Sequence, residues 1–188
     1  MFTRHTQNTA PTASRPLMEQ SLQAYGFVPT LHQVLAEAPA AYHAYITTLR
    51  IFSDETTLSP LEQQVVMMTS NIENRCHYCT AGHTMLMQMM KAPEDVIEAL
   101  RERQTIPDAK LEALSAFARE LLAKRGHVGD AALENFLSAG YDRQQALEVL
   151  VGLAAKLISN FTNALAHTEL DEPVKPFAWT HPNDREKT

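Results

Sequence analysis

Apolar residues in this chain recur at intervals of three and four from residue 17 to residue 167, and no run alternates apolar and polar residues as a half-buried strand must. Ala, Leu, Met, Gln and Glu, all good helix formers, dominate the same stretch. The expected fold class is therefore all-α. The period predicts helices over roughly 17–25, 31–37, 39–52, 59–73, 76–91, 93–103, 108–125, 130–139 and 142–167.

The helix ends have local causes. Ser59 and Pro60 supply an N-cap and a proline at the first helical position, and Glu62 falls where a capping box needs its acid. Pro93, Glu94 and Asp95 open another helix with a proline and two acids against its positive end. Gly126 and Gly140 follow helical runs as stops, and Asp142 caps the last helix. Within 59–73 the apolar stripe is Leu61, Val65, Met68 and Ile72, widened by Val66 and Met67. The last helix carries Ala146, Val149, Leu150, Leu153, Leu157, Ile158, Phe161 and Leu165, too much apolar surface for a helix with one wet side. It is expected at the centre of the molecule or between subunits.

Residues 1–16 are polar, hold Pro11 and Pro16, and read as a disordered or extended arm. Residues 17–170 form one helical domain, for which a chain of 188 residues is long enough. Residues 171–188 read as a proline-interrupted tail on the surface of their own or a neighbouring subunit.

Both cysteines and a histidine stand in one short run, Cys76-His77-Tyr78-Cys79-Thr80-Ala81-Gly82-His83. Cysteines three apart at a helix mouth are close enough to form a disulfide. His83 follows Cys79 by one turn on the same face, and lies about 10 Å beyond Cys76. A dithiol with an in-line base is the minimum for reversible thiol–disulfide chemistry. Two effects compete over which sulfur attacks. The helix mouth and Arg75 favour Cys76, while the base favours Cys79, and spacing alone leaves this open. A zinc site is disfavoured, because His77 projects about 100° away from Cys76 and no second cysteine pair completes a tetrahedron. Met85, Met87, Met89 and Met90, with Met67 and Met68, read as core or interface filler.

A formal charge of -6 without a basic block argues against a nucleic-acid partner. No run approaches the ~18 apolar residues of a membrane span, so no membrane partner is expected. Met1 to Asn8 lack the apolar stretch of a secretory signal, which makes the cytoplasm the expected compartment. Two cysteines in a reducing compartment are more often catalytic or metal-binding than structural. With no glycine-rich nucleotide loop and no flavin or haem motif, no cofactor is expected.

Leu58-Ser59-Pro60, the apolar helix after it, and Glu73-Asn74-Arg75-Cys76-His77-Tyr78-Cys79-Thr80-Ala81-Gly82-His83 together resemble the carboxymuconolactone decarboxylase-like superfamily, in its alkylhydroperoxidase D-like, CxxC-containing branch. Gly26-Phe27-Val28-Pro29-Thr30-Leu31 and Ala36-Glu37-Ala38-Pro39-Ala40 resemble that branch's leader helices. The resemblance covers about residues 25–170. It implies an alkylhydroperoxidase D-like helical bundle, homo-oligomers (trimers or hexamers) and peroxide reduction through the dithiol. Carried over residue by residue, Cys79 is the peroxidatic sulfur, Cys76 the resolving one and His83 the relay base. The branch's relay glutamate lies twelve residues before the first cysteine, where this chain has Gln64. Glutamine hydrogen-bonds but accepts no proton at neutral pH. Glu62 is turned about 200° away on the helix, which leaves Glu73 as the expected stand-in.

The expected function is a thiol-dependent peroxidase or disulfide reductase. A hydroperoxide substrate oxidises Cys79 to a sulfenic acid, Cys76 condenses with it, and an external dithiol of lipoyl or thioredoxin type reduces the resulting disulfide. One alternative, favoured by Gln64, is a non-peroxidatic redox partner or sensor. The other is a non-catalytic binding or assembly protein on the same fold.

Overall fold

The computed structural model describes residues 2–185. Its helices in order are α1 (Arg15–Tyr25), α2 (Thr30–Leu35), α3 (Pro39–Glu55), α4 (Pro60–Glu73), α5 (His77–Met89), α6 (Glu94–Arg101), α7 (Ala109–Ala123), α8 (Asp130–Ser138), α9 (Arg143–Ala166) and a short α10 (Pro182–Arg185). Tight 3-10 turns occupy Thr12–Ser14 and Glu172–Phe177. No described residue lies in a strand, so the fold is all-α as the apolar period requires.

The caps act as the sequence dictates. Ser59 accepts from the Glu62 amide at 3.4 Å while the Glu62 carboxylate accepts from the Ser59 amide at 2.8 Å. Asp142 and Gln145 form the same reciprocal pair at 2.8 and 3.1 Å. Beyond α8, Gly140 turns the chain at a φ of +97°, a left-handed conformation that costs glycine nothing.

α4 is the central element, packed by α5, α6, α7 and α9. Nearly every side chain from Glu62 to Ile72 is buried, so its polar groups need partners inside the molecule. They have them. Gln63 donates to the carbonyls of Phe52 and Leu58 at 3.1 Å. Thr69 meets Ser115 of α7 at 2.9 Å. Asn160 of α9 donates to Asn71 at 2.9 Å and accepts from Asn74 at 3.0 Å, which ties α9 to α4 at one register.

The interior divides into two clusters. The larger joins Phe52, Val65, Val66, Met68, Leu114, Phe117, Phe136 and Val149. The smaller gathers Ala10, Met18, Leu31, Leu35, Tyr42 and Tyr45 from the N-terminal elements around Cys76, Tyr78 and Cys79. The dithiol is therefore part of a core, not a surface motif.

Both chain ends are more closely packed than their composition suggests. Described residues of the N-terminal arm run over the body: the His5 amide donates to Gln33, Ala10 and Ser14 are buried, and the Ser14 hydroxyl donates to the Ala36 carbonyl at 2.8 Å. Of the tail, residues 171–185 are described, and Val174 and Trp179 are buried. The Trp179 indole donates to the Arg101 carbonyl at 3.0 Å. Residues 1 and 186–188 lie outside the described residues.

α9 packs against α2, α3, α4, α5 and α8, but its apolar residues do not form one face. Val149 and Leu153 point inward, whereas Leu147, Leu150, Leu157, Phe161 and Leu165 are exposed. From Lys156 onward the inward positions are Lys156, Ser159, Asn160 and Asn163. The C-terminal half of α9 is thus apolar outside and polar inside. α9 is long and apolar enough, by length and composition, to cross a membrane, which the sequence reading did not expect, yet its polar stripe is packed into the protein.

Candidate active site

The site begins with a break between two helices. Asn74 closes α4, Arg75 takes a left-handed φ of 52°, and the Cys76 amide reaches back to the Asn71 carbonyl at 2.8 Å. Cys76 then caps α5, its sulfur accepting from the Cys79 amide at 3.3 Å, a role that serine or aspartate usually fills. Helical winding carries Cys79 and His83 onto the side facing α9. Both cysteines are free thiols, and both are sealed from solvent, Cys76 at 5% and Cys79 at 4% exposure.

α9 supplies the other half. The Asn163 amide donates to the Cys79 sulfur at 3.2 Å and lies 3.8 Å from that of Cys76. Ser159 stands 3.9 Å from Cys79. The Lys156 ammonium is 3.0 Å from His83 Nε2, and Gln64 Oε1 of α4 is 2.8 Å from His83 Nδ1. Tyr45 of α3 packs in the same cluster as the two sulfurs.

These neighbours push the two thiols in opposite directions. Burial raises the Cys79 thiol, but the hydrogen bond from Cys76, the charge of Lys156 and the amides of Asn160 and Asn163 outweigh it and carry the group well below its ordinary range. Cys76 moves up, first because it gives its proton to the hydrogen bond with Cys79 and then because it is buried. Burial and the adjacent Lys156 charge hold His83 well below the usual imidazole range, hence neutral. The expected pull of the helix mouth on Cys76 is overridden. Arg75 does not reinforce it either, since its guanidinium pairs with Asp184 at 3.0 Å.

Of the residues singled out in the sequence, Cys76, Cys79, His83 and Gln64 come together, with Gln64 bonded to His83 rather than to a sulfur. Glu73 does not join them. Its carboxylate accepts from Arg103 at 2.9 and 3.1 Å and lies 3.5 Å from Arg119. His83 hydrogen-bonds Gln64 and Lys156 and makes no such bond to Cys79. Sequence reasoning missed Lys156, Ser159, Asn160 and Asn163. Their signal was present: polar residues at i, i+3, i+4 and i+7 in an otherwise apolar helix share one face. Among the described residues no three of His, Cys, Asp and Glu gather closely enough to hold a metal ion.

No protein-family model and no curated protein matches the chain. Solved structures do. An uncharacterized peroxidase-related protein from Ralstonia eutropha JMP134, described as an alkylhydroperoxidase AhpD core, superposes with a TM-score of 0.81 at 18% identity, over 92% of this chain and 93% of that one. An uncharacterized peroxidase-related protein from Silicibacter sp. TM1040 gives 0.76 at 17%, over 88% of each chain. The debrominase Bmp8, solved as a cysteine-to-alanine variant in complex with 2,3,4-tribromopyrrole, gives 0.77 at 15%, over 94% of this chain and 95% of its own. The fold is that of the alkylhydroperoxidase AhpD core.

Proposed function

We propose that this alkylhydroperoxidase D-like chain is a thiol-dependent peroxidase or disulfide reductase acting through Cys76 and Cys79. One observation carries the reading: the sealed Cys79 sulfur lies beside the Cys76 thiol and accepts from the Asn163 amide at 3.2 Å, and the hydrogen bond from Cys76, the Lys156 charge and the α9 amides favour its thiolate while Cys76 keeps its proton. Only a thiolate is nucleophilic enough to open a peroxide bond quickly. The Cys79 sulfur attacks a hydroperoxide and becomes a sulfenic acid. Cys76 then condenses with it, losing water, and an external dithiol of lipoyl or thioredoxin type reduces the disulfide. Cys79 is the peroxidatic residue and Cys76 the resolving one. His83, held by Gln64, orders the groups that handle protons. The exposed apolar stripe of α9 is the surface on which copies of the chain associate as a homo-oligomer.

The likeness to Bmp8 brings a second electrophile into range: a thiolate can take bromine from an electron-rich ring as the ring carbon takes up a proton, after which the second thiol closes the disulfide and bromide and a proton leave. A stopped-flow panel of hydrogen peroxide, an organic hydroperoxide, a small disulfide and 2,3,4-tribromopyrrole tests both readings. With the preferred oxidant both thiols of one chain should disappear together. The product should be lighter by two hydrogen atoms, and dithiothreitol should reverse the change. Thiol loss no faster than that of a free cysteine with every compound would remove the catalytic reading and leave a binding or assembly role.

A further inference from the structure

Cys79 must give up a proton to become a thiolate, and the oxygen expelled from a peroxide must gain one. Gln64 does neither. Asp171, which bonds Tyr78 beside the cysteines, is occupied by the Thr30 hydroxyl at 2.6 Å and by the Tyr78 hydroxyl. The titratable groups that act on Cys79 are Cys76 and Tyr78 from its own helix, Tyr45 from α3 and Lys156 from α9, while His83 touches Lys156. Burial holds both tyrosine hydroxyls far above their ordinary range, so they stay neutral.

Lys156 remains. It is 2% exposed, and an ammonium carries three donors and no acceptor. One donor is taken by His83 Nε2; no other protein acceptor meets the ammonium among the described residues. A buried cation with unmet donors is costly to maintain, and such groups mark sites where a negative charge is held or forms. The neutral His83 ring fixes the direction of the first donor and leaves the other two for that charge.

Building on the peroxidase reading, we propose that Lys156 performs the relay carboxylate's work with the opposite charge: it holds the proton of Cys79 and delivers it to the oxygen that leaves when the O–O bond breaks. The Cys79 thiolate attacks the terminal oxygen of R–O–O–H. An S–O bond forms, the O–O bond breaks, and the sulfur is oxidised by two electrons to the sulfenic acid. The departing R–O⁻ takes a proton from Lys156 and leaves as R–OH, so Lys156 becomes a neutral amine. The Cys76 thiol and the Cys79 sulfenic acid lose water and close the disulfide. An external dithiol reduces it, itself becoming a disulfide, and returns two thiols. The Cys79 thiol then passes its proton back to the Lys156 amine. One proton circulates and no carboxylate is needed.

Lys156→Met, Lys156→Arg and Lys156→Gln in the full chain separate the two duties. Circular dichroism first selects the variants that fold. Alkylation of Cys79 by iodoacetamide is followed across pH by peptide mass spectrometry, and Cys79 oxidation by hydroperoxide is followed by stopped flow. Methionine keeps the length and removes the charge; its alkylation midpoint should rise by about one pH unit or more, and the peroxide rate at pH 7 should fall by about 10²-fold. Glutamine should raise the midpoint likewise and serves if methionine does not fold. Arginine keeps the charge but holds its proton too tightly to give it away. It should retain the low midpoint and still lose the rate. An unmoved midpoint in the neutral variants overturns the proposal, and so does a wild-type rate with arginine. A wild-type chain inert to peroxide would overturn the peroxidase reading by itself, and the alkylation midpoints would still decide whether Lys156 holds the Cys79 proton.

Discussion

At the scale of single residues, His83 lies between an ammonium and an amide, and this sets its tautomer. The Lys156 ammonium has only donors, so Nε2 accepts, the ring proton sits on Nδ1, and Nδ1 donates to Gln64 Oε1 at 2.8 Å. Gln64→Leu keeps the volume but strands that buried N–H at a cost of about 1–3 kcal/mol, which, carried into the transition state, should appear as an oxidation of Cys79 slower by about 5- to 150-fold in stopped flow. Glu73→Gln should leave the same rate within about twofold, because its carboxylate serves Arg103 and Arg119. An equal fall in both variants would move the proton path to Glu73. Composition reveals that Gln64 is no base. It does not reveal that a lysine stands on the other side of the ring, because Lys156 lies 73 positions further along the chain.

At the scale of elements, α9 comes close to α3 at Gly152. A Cβ there would lie 2.6 Å from Phe52 Cζ, and Phe52 is wholly buried with nowhere to withdraw. Gly152→Ala gains about 0.5–1 kcal/mol of helix propensity, but overpacking of this kind costs about 1–3 kcal/mol. The expected outcome is a lower melting temperature, read by circular dichroism; an unchanged or raised one would mean that α3 slides freely on α9. Several helices among the described residues were legible in the sequence from their own caps and stops, as Ser59, Asp142 and Gly140 show. α9 was legible in extent but not in orientation. Its apolar residues outnumber one face, and only packing against α4 decides that Val149 and Leu153 face inward while Phe161 and Leu165 do not. The buried arm and tail were illegible for a related reason: Ser14 and Trp179 bond to the distant Ala36 and Arg101, and Ala10 packs into the cluster around the cysteines, contacts that leave no period in the sequence.

At the scale of the molecule, Leu147, Leu150, Leu157, Phe161 and Leu165 form one exposed apolar stripe along α9, and Leu86, Met89 and Met90 are exposed at the end of α5. A stripe of this length left in water is where association with a second copy is expected. Light scattering at micromolar concentration should report at least a trimer, and Phe161→Glu with Leu165→Glu should shift the population toward monomer without unfolding it. A wild-type monomer at that concentration would defeat the expectation. The site lies on the opposite, inward face of the same helix, so assembly would press on its supporting element without entering it.

The seal over the two sulfurs governs how the protein ages under oxidant. A sulfenic acid open to solvent meets a second peroxide and proceeds to sulfinic acid, which ordinary thiols do not reverse. Here that second encounter requires another molecule to enter an interior filled by Met18, Leu31, Leu35 and Tyr42. The rival reaction needs only the thiol one turn away, and well-oriented neighbours react as if present at about 10⁵ M or more. In the proposed peroxidase cycle, overoxidation should therefore lose the race at almost every turnover, and the chain should outlast many equivalents of hydroperoxide.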